Sequence, residues 1–206
     1  MIRLAVVGDI GSGKSHVAKT FGFPVFNADN EVALLYKKNR KCYNKLKKIL
    51  PKYIFKFPIN KKEVAKAIMA NKNNIKKIIK IIHPEIKIKM SVFFKKNRNK
   101  KFIVLDIPLL IENKINKKGD ILIFVDAKKN EVNRRLRRRP NFNLKIATIF
   151  KKFQLSIETK KRKSNFVIKN DFNKNSVKIG VKRVIKKILL NDRSYTRHRN
   201  NRLVNC

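Results

Sequence analysis

Short apolar runs, separated by longer stretches of mixed polarity, organise the chain. Five of these runs are rich in β-branched and aromatic residues and have the length of buried strands, and they cover residues 2–7, 24–26, 102–106, 120–126 and 166–168. The intervening segments carry apolar residues at helical spacing, chiefly over 14–21, 29–50, 128–139, 143–163 and 174–190, with a break near Asn39. Because strands alternate with helices, the sequence predicts an α/β fold with a five-stranded, parallel, doubly wound sheet.

Two segments depart from this alternation. Residues 31–100 contain helical patterns and prolines, and we expect them to form a helical insertion into a core made of residues 1–30 and 101–190. Within this insertion, Pro84 predicts a helix boundary or a kink. Residues 191–206 are polar and without periodicity, which predicts a disordered basic tail.

The turn after the first predicted strand contains a phosphate-binding motif. Residues 8–15 read GDIGSGKS, which fits G-x-x-x-x-G-K-[ST] and lies between a buried strand and a helix, as this loop requires. Its glycines let backbone N–H groups converge on phosphate oxygens, Lys14 can reach the β- and γ-phosphates, and the Ser15 hydroxyl can hold Mg²⁺. The predicted ATP-binding residues are Gly8, Gly11, Ser12, Gly13, Lys14, Ser15 and His16.

Two carboxylates follow predicted strands and therefore lie at the carboxyl edge of the sheet, where open α/β folds bind ligands. Asp106 ends a buried strand and is predicted to hold Mg²⁺, directly or through water, the alternative being an ordinary strand-end residue. Asp29 follows the second strand. It suits either the orientation and deprotonation of an acceptor hydroxyl or the N-cap of the next helix, and the spacing leaves both open.

Arginines are concentrated at one end of the predicted helix 128–139, in a chain whose cations are mostly lysines. They are Arg134, Arg135, Arg137, Arg138 and Arg139. Guanidinium groups clamp phosphates and neutralise charge in a transition state, so this cluster predicts phosphate contacts. The alternative, which holds for some of the five arginines, is an ordinary solvated helix face. His83 stands alone, without metal-ligand spacing, and its own surroundings favour a structural role.

The charge balance widens the range of partners to consider. The chain has 54 Lys and Arg against 13 Asp and Glu, a net charge of +41. The excess is mostly lysine, spread through nearly every segment beside abundant Asn, Ile and Phe, which favours compositional drift over a nucleic-acid site. No nucleic-acid-binding motif accompanies it, so we expect no specific nucleic-acid partner.

The cysteines and apolar runs bear on the compartment. Cys42 and Cys206 form no CxxC pair and predict neither a disulfide framework nor a thiolate metal site. We find no secretory signal and no apolar run long enough for a membrane span. The expected location is the cytoplasm, without membrane association, and the sequence leaves the oligomeric state open.

A series of motifs occurs in order along residues 1–190. They are GDIGSGKS at 8–15, NAD at 27–29, HP at 83–84, DIPLLIE at 106–112, RLRRR at 135–139, QLSIETK at 154–160 and VIKN at 167–170. Together they resemble the dephospho-CoA kinase family. The phosphate loop is shared with many nucleotide-binding proteins, whereas the PLLxE element and the stretch from Gln154 to Asn170 are much more particular.

The resemblance implies that ATP, with Mg²⁺, phosphorylates the 3′-hydroxyl of dephospho-CoA to give CoA and ADP, the last step of coenzyme A biosynthesis. It implies a P-loop kinase core, a helical insertion that binds the acceptor and a helical lid over about 137–163. The implied catalytic residues are Asp29, Lys14 and Arg139, the implied acceptor contacts are Asp29, His83, Pro108 and Leu109, and Asn170 is an implied nucleotide contact.

Several positions depart from the family pattern. Asn27 stands where Asp is usual and cannot act as a base, and Asp9 replaces a Gly of the phosphate loop, where its charge either faces solvent or repels ATP. His16 stands where Thr is common, and Ser164-Asn165 replaces Ala-Asp. The alternatives to this family are another P-loop small-molecule kinase with a nucleoside or nucleotide acceptor and, in another class, a nucleic-acid-binding P-loop protein.

Overall fold

The strands of the computed structural model, which describes residues 1–138 and 142–203 and side chains as far as residue 190, form one sheet. They are β1 (Ile2–Gly8), β2 (Val25–Asn27), β3 (Phe102–Asp106), β4 (Ile121–Asp126) and β5 (Phe166–Lys169). Their order is β2-β3-β1-β4-β5, and every neighbouring pair is parallel. The predicted five-stranded parallel sheet is confirmed. All five strands therefore end at the same edge.

The helices surround this sheet and build the insertion. They are α1 (Lys14–Thr20), α2 (Ala28–Lys38), α3 (Arg40–Ile49), α4 (Lys61–Ala70), α5 (Asn73–Lys96), α6 (Lys129–Arg137), α7 (Leu144–Lys151), α8 (Ile157–Arg162) and α9 (Lys174–Leu203). The break near Asn39 is confirmed, because its side-chain oxygen accepts from the backbone N–H of Cys42 at 2.8 Å and caps α3. In the described part of the chain, no helix combines the length and the apolar character that crossing a membrane requires.

The predicted extents of two carboxyl-terminal helical segments are wrong. The single helix expected over 143–163 is interrupted, because α7 ends at Lys151 and the Ser156 hydroxyl caps a new helix by accepting from the Thr159 N–H at 3.1 Å. The disordered tail expected from residue 191 is helical through Leu203. No Gly or Pro occurs over 191–203, so the helix that begins on the sheet continues without a breaker.

Alternate residues of β1 face two separate apolar layers. Leu4 and Val6 pack with residues of α1 and α9, including Val17 and Val181. Ala5 and the other alternate positions pack on the opposite face, beneath the carboxyl-terminal half of α5. This two-sided burial explains why the strands read as continuous apolar runs instead of alternating ones.

Helix α5 joins the insertion to the sheet. Ile75, Ile78 and Ile82 belong to the core of the insertion, whereas Met90 packs against the sheet layer. The helix has 24 residues, a length of about 36 Å, and runs through Pro84 without ending. Of the predicted boundary or kink at Pro84, the boundary is therefore wrong. The proline lies between the half of α5 in the insertion core and the half on the sheet.

Deleting residues 191–206 should change the free energy of unfolding by less than about 0.5 kcal/mol and leave turnover intact. The α9 residues in the sheet core, which urea unfolding would probe, all precede the cut, and they are Val177, Val181, Val184 and Ile188. A chain ending at Gly180 is the control. It loses three of these side chains, each worth about 1.5–3 kcal/mol, and should not fold. A loss of stability from the shorter deletion would show that residues 191–206 contribute to the core.

Candidate active site

A cleft of about 860 Å³ opens at the carboxyl edge of the sheet. It is lined by the phosphate loop, the segment after β3, the end of α6, parts of α7 and α8 and the segment after β5. The sequence-predicted site residues that line it are Gly8, Gly11, Gly13, Lys14, Ser15, His16, Asp29, Asp106, Pro108, Leu109 and Asn170. Residues far apart in the chain thus meet where the parallel strands end.

Three other predicted site residues are not among the described residues that line the cleft. Ser12 lies beneath the loop, 2% exposed, with its hydroxyl oxygen buried. His83 is half-buried on α5 and is not among the described residues that line the cleft, and burial followed by the nearby charge of Lys87 lowers its pKa. Arg139 lies outside the described residues.

The phosphate loop passes so close to neighbouring elements that two of its positions require glycine. At Gly8, a Cβ atom would lie 2.9 Å from the carbonyl oxygen of Val125. Gly13 has φ +88°, and a Cβ atom there would lie 2.2 Å from Nδ2 of Asn170. Any side chain at these positions would push the loop away from β4 and from the segment after β5.

Asn170 fixes the loop from below. Its side chain, in a residue only 2% exposed, donates to the Ser12 carbonyl at 2.8 Å and accepts from the Phe172 N–H at 2.9 Å. Its own backbone N–H donates to the carbonyl of Asp126 at 2.7 Å. The residue that the resemblance implied as a nucleotide contact therefore also holds the loop that would receive the nucleotide.

Lys14 begins α1 and turns back over the loop. Its Nζ donates to the carbonyl of Asp9 at 2.6 Å and lies 3.4 Å from that of Gly8. Burial lowers the pKa of Lys14, the carboxylate of Asp106 opposes that shift, and the charge of Lys160 adds to it. The ammonium therefore stands in a weakly solvated place, where a charge acts strongly on a bound phosphate.

The contacts of Asn27 explain how an Asn can stand where the family usually has Asp. Asn27 and Asp106 are register partners at the ends of β2 and β3, and the Asn27 Nδ2 donates to Oδ2 of Asp106 at 2.5 Å. The Asn27 Oδ1 accepts from the Asn30 N–H at 2.8 Å and caps α2. Asn27 is thus the N-cap, and Asp29 lies in the first helical turn at the cleft wall, so the alternative of Asp29 as the cap is wrong.

Asp9, the other charged departure, uses its carboxylate within the loop itself. Its Oδ1 accepts from the backbone N–H of Ile10 at 2.7 Å. The carboxylate thereby binds one of the loop N–H groups and holds the outer turn of the loop.

Two cleft residues, Glu112 and Lys160, were not predicted as site residues, and Arg135 was predicted only as one member of the arginine cluster. Glu112 follows β3, and its Oε1 lies 2.9 Å from the Nζ of Lys160 on α8. Burial alone would raise the pKa of Glu112, but hydrogen bonds from Lys160 and from the backbone of Leu155 outweigh it and lower that pKa. Arg135 stacks its guanidinium 4.5 Å from the ring centre of Phe172. Glu112, Arg135 and Lys160 all lie within the motifs quoted above, but the motifs alone do not show that they meet.

The donors at the end of β3 suit a cation that arrives with a nucleotide. Asp106 is buried at the cleft and keeps its second carboxylate oxygen clear of the Asn27 bond, and the Ser15 hydroxyl lies on the same cleft. Among the side chains described over 1–138 and 142–190, no group of three or more His, Cys, Asp and Glu is placed to hold a metal. A magnesium ion held mainly by water and phosphate oxygens needs only one or two protein oxygens.

A parallel α/β sheet, a glycine-rich loop opening a helix, and a cleft that holds a loop lysine beside Asp29 and Asp106 together define a P-loop kinase. Comparison with known proteins narrows this class. The family profile described as dephospho-CoA kinase matches residues 2–176. The chain belongs to the dephospho-CoA kinase family, and the resemblance noted in the sequence is confirmed.

Individual relatives align with this chain over nearly its whole length. The dephospho-CoA kinase of Wolbachia pipientis wMel is 31% identical over 193 residues, which is 91% of this chain and 98% of that protein. A dephospho-CoA kinase of Bacillus cereus is 28% identical over 199 residues, 90% of this chain and 96% of that protein.

Two solved structures are similar in fold. TT1252 from Thermus thermophilus has a TM-score of 0.70 at 22% identity and covers 92% of this chain and 97% of its own. Dephospho-CoA kinase from Campylobacter jejuni has a TM-score of 0.60 at 23% identity, with 90% of this chain and 96% of its own covered.

Asn170→Ala should lower the free energy of unfolding by about 2–4 kcal/mol, because it leaves the Ser12 carbonyl and the Phe172 N–H without their partner. It should also weaken ADP binding at least tenfold in isothermal titration calorimetry. The control is Asn173→Ala, which removes an exposed bond to the Asn175 N–H at 2.9 Å and should cost about 1 kcal/mol without affecting ADP. Equal effects on ADP would show that Asn170 does not hold the loop.

Proposed function

We propose that this chain transfers the γ-phosphoryl group of ATP to the 3′-hydroxyl of dephospho-CoA, giving CoA and ADP, the last step of coenzyme A biosynthesis. The observation that carries the proposal is the meeting of Lys14, Asp29 and Asp106 on one cleft in a chain of this family. ATP as the donor supports a cytoplasmic location.

The phosphate loop is proposed to bind the nucleotide. Its backbone N–H groups and the start of α1 provide partial positive charge for the phosphate oxygens. Lys14 stands where burial strengthens its interaction with the β- and γ-phosphates, and its present bonds to loop carbonyls hold the ammonium over the site. Little covalent chemistry is required of the protein, because phosphoryl transfer depends mostly on positioning and charge.

Asp29 is proposed to orient the acceptor hydroxyl and accept its proton. It lies in the first turn of α2, on the wall of the cleft, and its charge reaches Lys14. A carboxylate within reach of the attacking hydroxyl lowers the barrier by removing its proton as the new bond to phosphorus forms. Asp106, buried and bonded to Asn27, is held too firmly for that role.

Ser15 and Asp106 are proposed to hold Mg²⁺, Asp106 directly or through water. When bound, the ion neutralises charge on the β- and γ-phosphates. The bond from Asn27 engages one oxygen of the Asp106 carboxylate, which leaves the other oxygen for the ion or its waters.

The acceptor is proposed to lie between the segment after β3 and α7. Pro108 and Leu109 line the cleft in the segment after β3, and Ile146 and Phe150, one helical turn apart, line it on α7. These apolar surfaces suit the uncharged arm of dephospho-CoA. His83 lies outside this lining, and the proposal gives it no contact. The segment from 137 to 163 is proposed to act as the lid, with Arg139 as a phosphate contact.

Wild-type protein with Mg²⁺ and ATP should convert dephospho-CoA to CoA and ADP, and Lys14→Ala should lower kcat at least about 10²-fold, because one preorganised charge on the transferred group is lost. Mass spectrometry of the products measures both. Lys19→Ala, on the exposed face of the same helix, is the matched control and should behave like the wild type.

Absence of CoA with wild-type protein that still binds ADP would contradict the acceptor, and a panel of nucleosides and nucleotides would then be assayed. A Lys14→Ala variant with wild-type kcat would contradict the assignment of the phosphate loop.

Asp29→Asn should lower kcat by about 10²–10⁴-fold, because an amide cannot accept the proton of the hydroxyl. ADP affinity should stay within about twofold, since the phosphate loop is unaltered, and steady-state kinetics with calorimetry separate the two effects. Glu31→Gln, in the same first turn but away from the cleft lining, is the control. Matching losses of kcat and ADP affinity would mean that Asp29 acts by supporting the structure.

A further inference from the structure

A buried ion pair forms part of the cleft wall. The Nζ of Lys160, on α8, lies 2.9 Å from Oε1 of Glu112, and the two side chains are 4% and 10% exposed. The same carboxylate oxygen accepts from the backbone N–H of Leu155 at 3.0 Å. Both charged residues line the cleft that contains the phosphate loop. Glu112 is thus held at two points, and it fixes the ammonium beside it.

Stability does not account for this pair. Removing two charges from water is costly, and well-packed apolar side chains of similar volume are often as stabilising as a buried ion pair, or more so. Apolar neighbours are plentiful here, since Leu110 and Ile111 precede Glu112 and also line the cleft. We therefore look for the reason for this charged pair in a ligand that binds in the cleft.

The charge of Lys160 acts within the cleft that contains the phosphate loop. It reaches Lys14 strongly enough to add to the lowering of the pKa of that lysine, behind burial and against the opposing carboxylate of Asp106. Two ammonium groups that repel each other within one cleft are stabilised by an anion that contacts both. A nucleotide polyphosphate chain, with several charges along its length, is the ligand that meets this requirement.

We propose that Lys160 is a second phosphate-contacting lysine of the cleft, held in position by Glu112 so that its ammonium meets the nucleotide polyphosphate together with Lys14. Lys160 would thus be a catalytic residue, and Glu112 a positioning residue that acts through it. The inference rests on the proposed kinase function, and it concerns the nucleotide rather than the acceptor.

The decisive variant removes both charges at once. In Glu112→Leu with Lys160→Met, no buried charge is left unpaired, so the midpoint of thermal unfolding should equal or exceed that of the wild type. If Lys160 contacts phosphate, ADP affinity should still fall at least tenfold and kcat by about 10²-fold. A double variant that keeps both within twofold would overturn the proposal, because the pair would then be structural alone.

The matched control lies one residue away. Lys161→Met removes a lysine of the same helix whose Nζ lies 3.3 Å from Asp126 and whose side chain is 52% exposed. It does not line the cleft and should leave kcat and ADP affinity within twofold of the wild type.

Two single variants decide the matter even if the double variant fails to fold. Lys160→Gln keeps an N–H donor for Glu112 without the charge and should lose about 10²-fold in kcat. Lys160→Arg keeps the charge and should retain at least a tenth of the wild-type kcat. Wild-type activity in the Gln variant would overturn the proposal.

A double-mutant cycle tests the positioning role of Glu112. Glu112→Gln should weaken ADP binding in the wild-type background and have no further effect when Lys160 is already Met. Independent effects would overturn the positioning role. Because ADP binding involves no acceptor, these measurements judge Lys160 even if dephospho-CoA proves to be the wrong acceptor, and CoA formation by the wild type judges the proposed function separately.

Discussion

The close approach of the phosphate loop to its neighbours constrains everything else in the cleft. A Cβ atom at Gly8 would meet the end of β4, one at Gly11 would lie 2.8 Å from Leu136 of α6, and one at Gly13 would meet Asn170 after β5. The loop thus packs closely against the backbone of β4 and against the side chains of Leu136 and Asn170. Its position determines where α1 begins and where Lys14 stands, and the other groups are arranged around that point.

The parallel register brings these other groups to the loop. Because β2, β3, β4 and β5 all end at the edge where β1 ends, the residues that follow them share one surface. Asn27 and Asp106 meet across β2 and β3, and Asn170 reaches under the loop from β5. Each interaction is a hydrogen bond with one or both partners buried, and such bonds are costly to break.

The features that could be predicted from the sequence are those that a short stretch of chain determines. The strands show as apolar runs, the loop as a glycine pattern, and Asp29, Lys14 and Asp106 as polar residues at strand or loop ends. The break between α7 and α8 was missed, although the Ser156 cap is a local signal, because the basic residues around it continue the helical composition. The length of α9 was missed because an unpatterned polar segment can still extend a helix already formed.

Other features depend on contacts between distant segments and could not be predicted in this way. The sequence shows only that Asn27 cannot act as a base. In the structure, its side chain donates a hydrogen bond to the carboxylate of Asp106, 79 positions away. Similarly, Glu112 and Lys160 each belong to a recognisable motif, but nothing in either motif indicates that they form one buried pair. The pairing depends on the packing of α8 against the segment after β3.

The cleft and the rest of the chain differ in charge. Across the whole sequence, 54 Lys and Arg outnumber 13 Asp and Glu. The described cleft lining instead has Lys14, Arg135, Lys160 and Lys174 against Asp29, Asp106 and Glu112. Cations and carboxylates are thus nearly balanced on this lining. Charges in this weakly solvated cleft act at close range, whereas exposed lysines are screened within about 8–10 Å at ordinary salt. The large net charge therefore contributes little to recognition of the nucleotide, which depends on the few charges that the fold holds in place.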